Sequence, residues 1–139
     1  FIQQADGAFR RQQQNLKKLP DKKEEDQGLL LFDADGDGDL DLYCARGSYQ
    51  QQVGSPLLQD VLYVNDGRGN FRPDSLALPR ETENSLAVKA ADYDRDGDLD
   101  LFVGGGVLPG SYPKASRSFL LRNDSRPGRP RFIDVTRQA

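Results

Sequence analysis

The sequence contains no histidine, no methionine and no tryptophan, and its 139 residues include a single cysteine, Cys44. Without histidine, the Ser/His and Cys/His pairs of nucleophilic catalysis are excluded. One cysteine excludes an internal disulfide. No apolar run is long enough to span a membrane, and no signal peptide precedes the first turn signals. The chain opens at Phe1 without an initiator methionine, so we expect a piece of a longer precursor. A helical apolar period is also missing, which leaves strands as the expected element.

What the chain does have is aspartate, and it is concentrated. The stretch Asp33-Ala34-Asp35-Gly36-Asp37-Gly38-Asp39-Leu40-Asp41 recurs as Asp92-Tyr93-Asp94-Arg95-Asp96-Gly97-Asp98-Leu99-Asp100, 59 positions later. Each packs five carboxylates into nine residues. At ~5 Å in water each like-charge pair costs roughly 0.8 kcal/mol. A bound cation reverses that sign, and an all-oxygen, flexible, carboxylate-rich loop suits Ca²⁺ better than Mg²⁺. Two calcium sites are therefore expected.

The formal net charge of −3 hides an uneven distribution, because the two loops hold 10 of the 22 acids. The 19 Lys and Arg residues against the other 12 acids leave the rest of the chain at +7. That excess is diffuse, which argues against a nucleic-acid partner.

The loops also mark a repeat. Leu62-Tyr63-Val64-Asn65-Asp66-Gly67-Arg68-Gly69-Asn70-Phe71 returns as Leu120-Leu121-Arg122-Asn123-Asp124 followed, after a short loop, by Arg131-Phe132. A degenerate earlier copy spans 1–9. The aromatic anchors Phe9, Phe71 and Phe132 lie 62 and 61 positions apart, so the period is close to 60. Division of the chain follows: 1–28 as the end of a preceding unit with a polar connection, 29–85 as a first full unit and 86–139 as a second.

Four strands are expected per unit, at 29–32, 40–45, 61–65 and 70–73, then at 86–91, 99–104, 118–123 and 131–136. Alternation places Leu40, Leu42 and Cys44 on one face, opposite Asp41 and Tyr43, with Cys44 expected to point into a core as a small apolar residue. Leu99, Leu101 and Val103 repeat the pattern. Asn65-Asp66-Gly67 is a hairpin signal, since these residues tolerate positive φ. One four-stranded sheet has two apolar faces and cannot bury both alone, so stacked copies are expected, and two and a third units leave outer faces open.

EF-hand loops also begin D-x-D-x-D-G, but they need a glutamate at position 12 and flanking helices. Position 12 is Cys44 in one loop and Val103 in the other, and the flanks alternate with period two. The dockerin pattern fails at the same position. The paired Asp loops, the L-Y-x-N-D-G-x-G-x-F block and the ~60-residue period instead resemble the FG-GAP/VCBS repeat family, over residues 1–136. The resemblance implies an all-β fold, a fragment of a β-propeller of the integrin-α type, with about two four-stranded antiparallel blades plus the end of a preceding one. It implies calcium held by the side chains of Asp33, Asp35, Asp37 and Asp41 with the carbonyl of Asp39, and by Asp92, Asp94, Asp96 and Asp100 with the carbonyl of Asp98. The side chains of Asp39 and Asp98 are expected to be free or to hydrogen-bond around the ion. Residues 105–113 further resemble large bacterial surface proteins with such repeats. The family's own FG-GAP signature is not literal; Phe102-Val103-Gly104-Gly105 comes nearest.

The leading functional expectation is a calcium-stabilised propeller segment, extracellular or on the cell surface and of bacterial secreted type, for recognition or adhesion toward a protein or glycan. Its recognition loops would be 12–28, 47–60, 73–85 and 105–117, at the blade edge away from the Asp loops. Tyr49 and Tyr112 could stack on sugars, with ordinary loop packing the expected alternative. A structural module that completes a propeller with blades of the parent or of other chains is the second reading. A carbohydrate-active enzyme is the third and is not expected: Glu81 and Glu83 are the only paired acids in a plausible surface loop, and a solvated turn accounts for them. Arg122, Arg126, Arg129, Arg131 and Arg137 read as a solvated hairpin or, less simply, as an anionic-partner site.

Overall fold

A computed structural model describes residues 2–3, 5–10 and 23–139. Residues 12–22 of the expected polar connection lie outside the described residues. Among the described residues ten strands follow in order: β1 (Ile2–Gln3), β2 (Phe9–Arg10), β3 (Asp26–Phe32), β4 (Asp41–Arg46), β5 (Val61–Asn65), β6 (Phe71–Asp74), β7 (Ser85–Ala91), β8 (Asp100–Gly105), β9 (Phe119–Asn123) and β10 (Phe132–Asp134). The one helical element among the described residues is a 3₁₀ turn, Pro56–Leu58, capped by Ser55.

β3 to β6 form one four-stranded antiparallel meander and β7 to β10 a second, while β1 pairs with β2. Leucine, valine and aromatic runs broken by Asp, Gly and Pro explain the short strands and tight connections. A register shift falls between Asp26 and Gly28 on β3 and again, 59 residues on, between Ser85 and Ala87 on β7. The first shift lets the polar start of β3 reach Arg46, which pairs with Asp26 at 3.7 Å, and β3 therefore begins three residues earlier than the apolar pattern suggests. β10 stops early because Asp134 turns the chain by accepting from the Thr136 amide at 3.0 Å.

The two sheets stack, and the core lies between them. From the first sheet come Phe32, Tyr43, Ala45 and Leu62; from the second come Val88, Leu101, Val103, Phe119, Leu121 and Phe132. Phe32 meets Phe132 edge-on with ring centroids 6.1 Å apart. Leu62, Leu101 and Leu121 are fully buried, each worth roughly 1.5–3 kcal/mol. This all-β arrangement of stacked four-stranded sheets is consistent with a fragment of a β-propeller.

The expected faces need correction in the first sheet. Tyr43 and Ala45, not Leu42 and Cys44, face the core. Cys44 is buried, but on the other side, and Leu40 precedes β4 and is half-exposed. In the second sheet Leu101 and Val103 lie inside as expected, while Leu99 precedes β8 and is exposed. The reason is stacking in one direction. Each sheet carries two apolar faces, and the first turns its Tyr43 face toward the Leu101 face of the second. The outward faces keep Leu29 at 65%, Leu31 at 56% and Phe102 at 53% exposure. Phe102 stands where Tyr43 stands one repeat earlier, and Leu29 stands where Val88 stands one repeat later.

The junction is tight at Gly47. A β-carbon there would collide with Asn84 Oδ1 and the Ser85 carbonyl, so only glycine lets β7 of the second unit pass. Hairpin alternation puts both Asp loops at one edge of the stack and the connections after β4, β6 and β8 at the other.

Candidate metal centres

Each Asp loop lies between the first two strands of its unit, and the same bonds build both. Asp33 accepts from the Gly36 amide at 2.8 Å and the Gly38 amide at 3.0 Å. Asp92 accepts from Arg95 at 2.7 Å and Gly97 at 3.2 Å. Asp37 and Asp96 accept from the amides of Asp39 and Asp98. These turns require left-handed backbone at Gly38 (φ 91°) and Gly97 (φ 103°), which glycine adopts without a β-carbon clash.

The folded loops gather three carboxylates each. One oxygen from each of Asp33, Asp35 and Asp37 lies within 4.8 Å of the others, and Asp92, Asp94 and Asp96 do the same. Asp41 and Asp100 stand apart as the first residues of β4 and β8. Asp41 accepts from Ala34 at 3.0 Å and Asn65 at 2.8 Å; Asp100 accepts from Tyr93 at 3.0 Å and Asn123 at 2.8 Å. They hold the loop to the β5 and β9 ends, and each oxygen keeps a second lone pair for an ion. Asp39 Oδ1 is buried without a partner, and Asp98 is exposed.

Asp35 tests whether a cation fits. The residue is 4% exposed, and neither carboxylate oxygen has a hydrogen-bond partner. Burial, then the charges of Asp37 and Asp41, push its pKa up to about 6; the nearby amides of Asp37 and Gly128 oppose the rise without closing a bond to it. Asp94 is pushed up by the same causes, desolvation first and then Asp96 and Asp100. A buried carboxylate without a donor costs several kcal/mol. An oxygen-seeking divalent cation among three carboxylates would supply what is missing, and the donor set is that of a hard ion.

The β5 and β9 ends contribute residues that the loop motif did not single out. Asn65 Nδ2 donates to the Leu40 carbonyl at 3.1 Å and Asn123 Nδ2 to that of Leu99 at 3.1 Å. Their signal was present as the repeated Asn-Asp pair, but it read as a period marker and, at Asn65, a hairpin turn, not as support for the Asp loops.

At the opposite edge the solvated-turn expectation for Glu81 fails. Glu81 is 9% exposed and Asp60 3%. Asp60 accepts from Tyr43 Oη at 2.7 Å and the Arg46 amide at 2.6 Å, and its own amide donates to Glu81 at 3.4 Å. Burial first, then Asp60, push Glu81 up to about 8. Tyr49 and Tyr112 also depart from ordinary loop packing, at 63% and 87% exposure. Arg122 is paired with Asp124 at 2.7 Å, while Arg126, Arg129 and Arg131 border an open groove of about 520 Å³ with Leu76.

The family model described as an FG-GAP-like repeat matches residues 33–103, just over half of the chain. The match opens on the first Asp of the first loop and runs through the whole second loop into β8. The chain belongs to the FG-GAP-like repeat family. No curated protein and no solved structure matched the chain.

Proposed function

We propose that this chain is a calcium-stabilised propeller segment that serves recognition or adhesion outside the cell, with calcium in a structural role. The observation that carries this reading is Asp35, a buried carboxylate without a hydrogen-bond partner, held among two other carboxylates in a loop that recurs 59 residues later. FG-GAP repeats are typically extracellular and often bind calcium, which supports both the ion and the location. Recognition falls to the edge away from the Asp loops, where Tyr49 and Tyr112 stand exposed and suit a protein or glycan ligand. No catalysis is assigned: the Asp loops serve the ion, and the Asp60–Glu81 pair is tied into internal bonds.

A second reading, blade supply to a larger propeller, is favoured by the exposed Leu29, Leu31 and Phe102. Its partners are further blades, from the same parent chain or from other chains, stacked on these faces. The two readings are compatible.

Thermal melts in calcium and in EGTA test the leading reading. A ligand that binds only the folded state adds about 2.7 kcal/mol at a hundredfold excess over Kd, so the melting temperature should rise with calcium and fall with chelator. Identical melts in both buffers would remove the metal from the account.

A further inference from the structure

The two Asp loops share their internal bonds but not their surroundings. Every residue from Ala91 to Leu99 is exposed, whereas Ala34 and Asp35 are buried at 0% and 4%. What covers Ala34 and Asp35 is the second unit, while Asp37 stays exposed. Asn123, at the end of β9, sends its Nδ2 across to the Ala34 carbonyl at 3.0 Å. Beyond it, Ser125, Arg126 and Pro127 line a cleft of about 280 Å³ whose other walls are Asp35, Gly36 and Asp98. The β9–β10 turn that forms this cover is stiff. Arg126 and Arg129 exchange backbone bonds at 3.1 and 2.7 Å, the Asp124 amide donates to the Arg131 carbonyl at 2.8 Å, and the Arg131 amide donates to Ser125 Oγ at 2.8 Å.

We infer that the second unit covers the Asp35 side of the first cation site, so that its ion joins two blades and leaves slowly, while the second site is open on all sides and exchanges freely. This rests on the calcium reading above and goes beyond it. An ion at Asp33, Asp35 and Asp37 keeps its Asp37 side toward solvent, but on the Asp35 side it is walled by the β9–β10 turn, whose position depends on the stacking of the sheets. An ion at Asp92, Asp94 and Asp96 faces solvent. Bound calcium at the first loop therefore stabilises the junction between units, and calcium at the second stabilises only its own hairpin. By repeat symmetry the second site becomes the covered kind when a further unit lays its own corresponding turn over Asp94.

Calcium release separates the two. The chain is loaded with Ca²⁺ and mixed rapidly with an excess of a calcium-sensitive fluorescent chelator. Release should follow two phases of equal amplitude, the slow one at least about tenfold slower, since differences between related sites appear mainly in the off-rate. Asp94→Asn should delete the fast phase and Asp35→Asn the slow one. Replacing Arg126 and Pro127 together by glycine changes no residue of either Asp loop and should speed the slow phase alone. A single phase in the unsubstituted chain, or a slow phase indifferent to the double glycine substitution, overturns the inference. Equal release from two occupied sites overturns it while leaving the calcium reading intact; no binding at all overturns both.

Discussion

Asn123 Nδ2 donates to two carbonyls at once, that of Leu99 within its own unit at 3.1 Å and that of Ala34, 89 residues earlier, at 3.0 Å. Its Oδ1 accepts from the Ser125 amide at 3.0 Å. One side chain thus fixes a loop, a turn and the neighbouring unit. Asn123→Ala removes three bonds at a largely buried position. At about 1 kcal/mol each, urea unfolding should show a loss of about 2–3 kcal/mol. A loss under about 0.5 kcal/mol, the range of ordinary surface changes, would show that the cross-unit bond carries no stability.

The repeat made much of this arrangement readable. Two Asp loops, eight strands and the hairpin turns follow from residue patterns that recur at a fixed offset, and local rules suffice for each. The orientation of the first sheet did not follow, because alternation marks two faces without saying which one meets a neighbour. Leu42 and Tyr43 are both apolar enough for a core, and stacking direction decides between them. Glu81 misled for the opposite reason: a charged residue beside Thr82 and Glu83 looks solvated until the chain folds back onto Gln59 and Asp60. The difference between the two Asp loops was equally hidden, since the motifs match and only the third dimension lays the β9–β10 turn over Asp35.

The Asp60–Glu81 pair predicts a pH dependence. Glu81 rises from 4.5 to about 8 and Asp60 from 3.8 to about 6, burial being the largest cause in both. Arg46, Tyr43, Cys44 and Glu83 are the other titratable groups around them. A carboxyl whose folded-state pKa is raised keeps its proton longer when folded, so the folded chain binds more protons than the unfolded one and stability falls as pH rises. For Glu81 the fall begins above pH 4.5 and is complete once pH passes 8. Urea unfolding in calcium-saturated buffer should give a lower free energy at pH 8.5 than at pH 5.5. Glu81→Gln should flatten that slope; an equal slope in both proteins would assign it elsewhere.

Arg95 predicts a gain. It occupies φ 67°, the left-handed region, at the place where the first loop has Gly36 at φ 74°. That conformation costs a side-chain-bearing residue roughly 1–2 kcal/mol, and glycine gives back up to about 1 kcal/mol of that in unfolded-state entropy. Arg95→Gly should therefore stabilise the chain by about 0.5–1 kcal/mol and tighten calcium at the second loop. A lower melting temperature in Arg95→Gly would mean that the arginine side chain itself supports the loop.

Tyr43 and Phe102 occupy the same position one repeat apart, yet Tyr43 is 1% exposed and Phe102 53%. Truncation should register that difference. Tyr43→Ala opens a cavity against the second sheet and strips Asp60 of its hydroxyl donor, for a cost of about 3–5 kcal/mol. Phe102→Ala removes a ring that has water on one side, and in dilute solution it should cost about 1 kcal/mol or less. The small value holds only while nothing covers the second sheet. If units stack head to tail, the Leu29 face of one copy meets the Phe102 face of another, and that heterologous contact extends or closes into a ring. Light scattering across a concentration series then decides. A mass that rises with concentration in the unsubstituted chain, and does not rise in Phe102→Ala, would identify Phe102 as part of the next blade interface. A constant mass near 15.5 kDa in both would mean that these faces do not pair between copies, and that any cover must come from elsewhere.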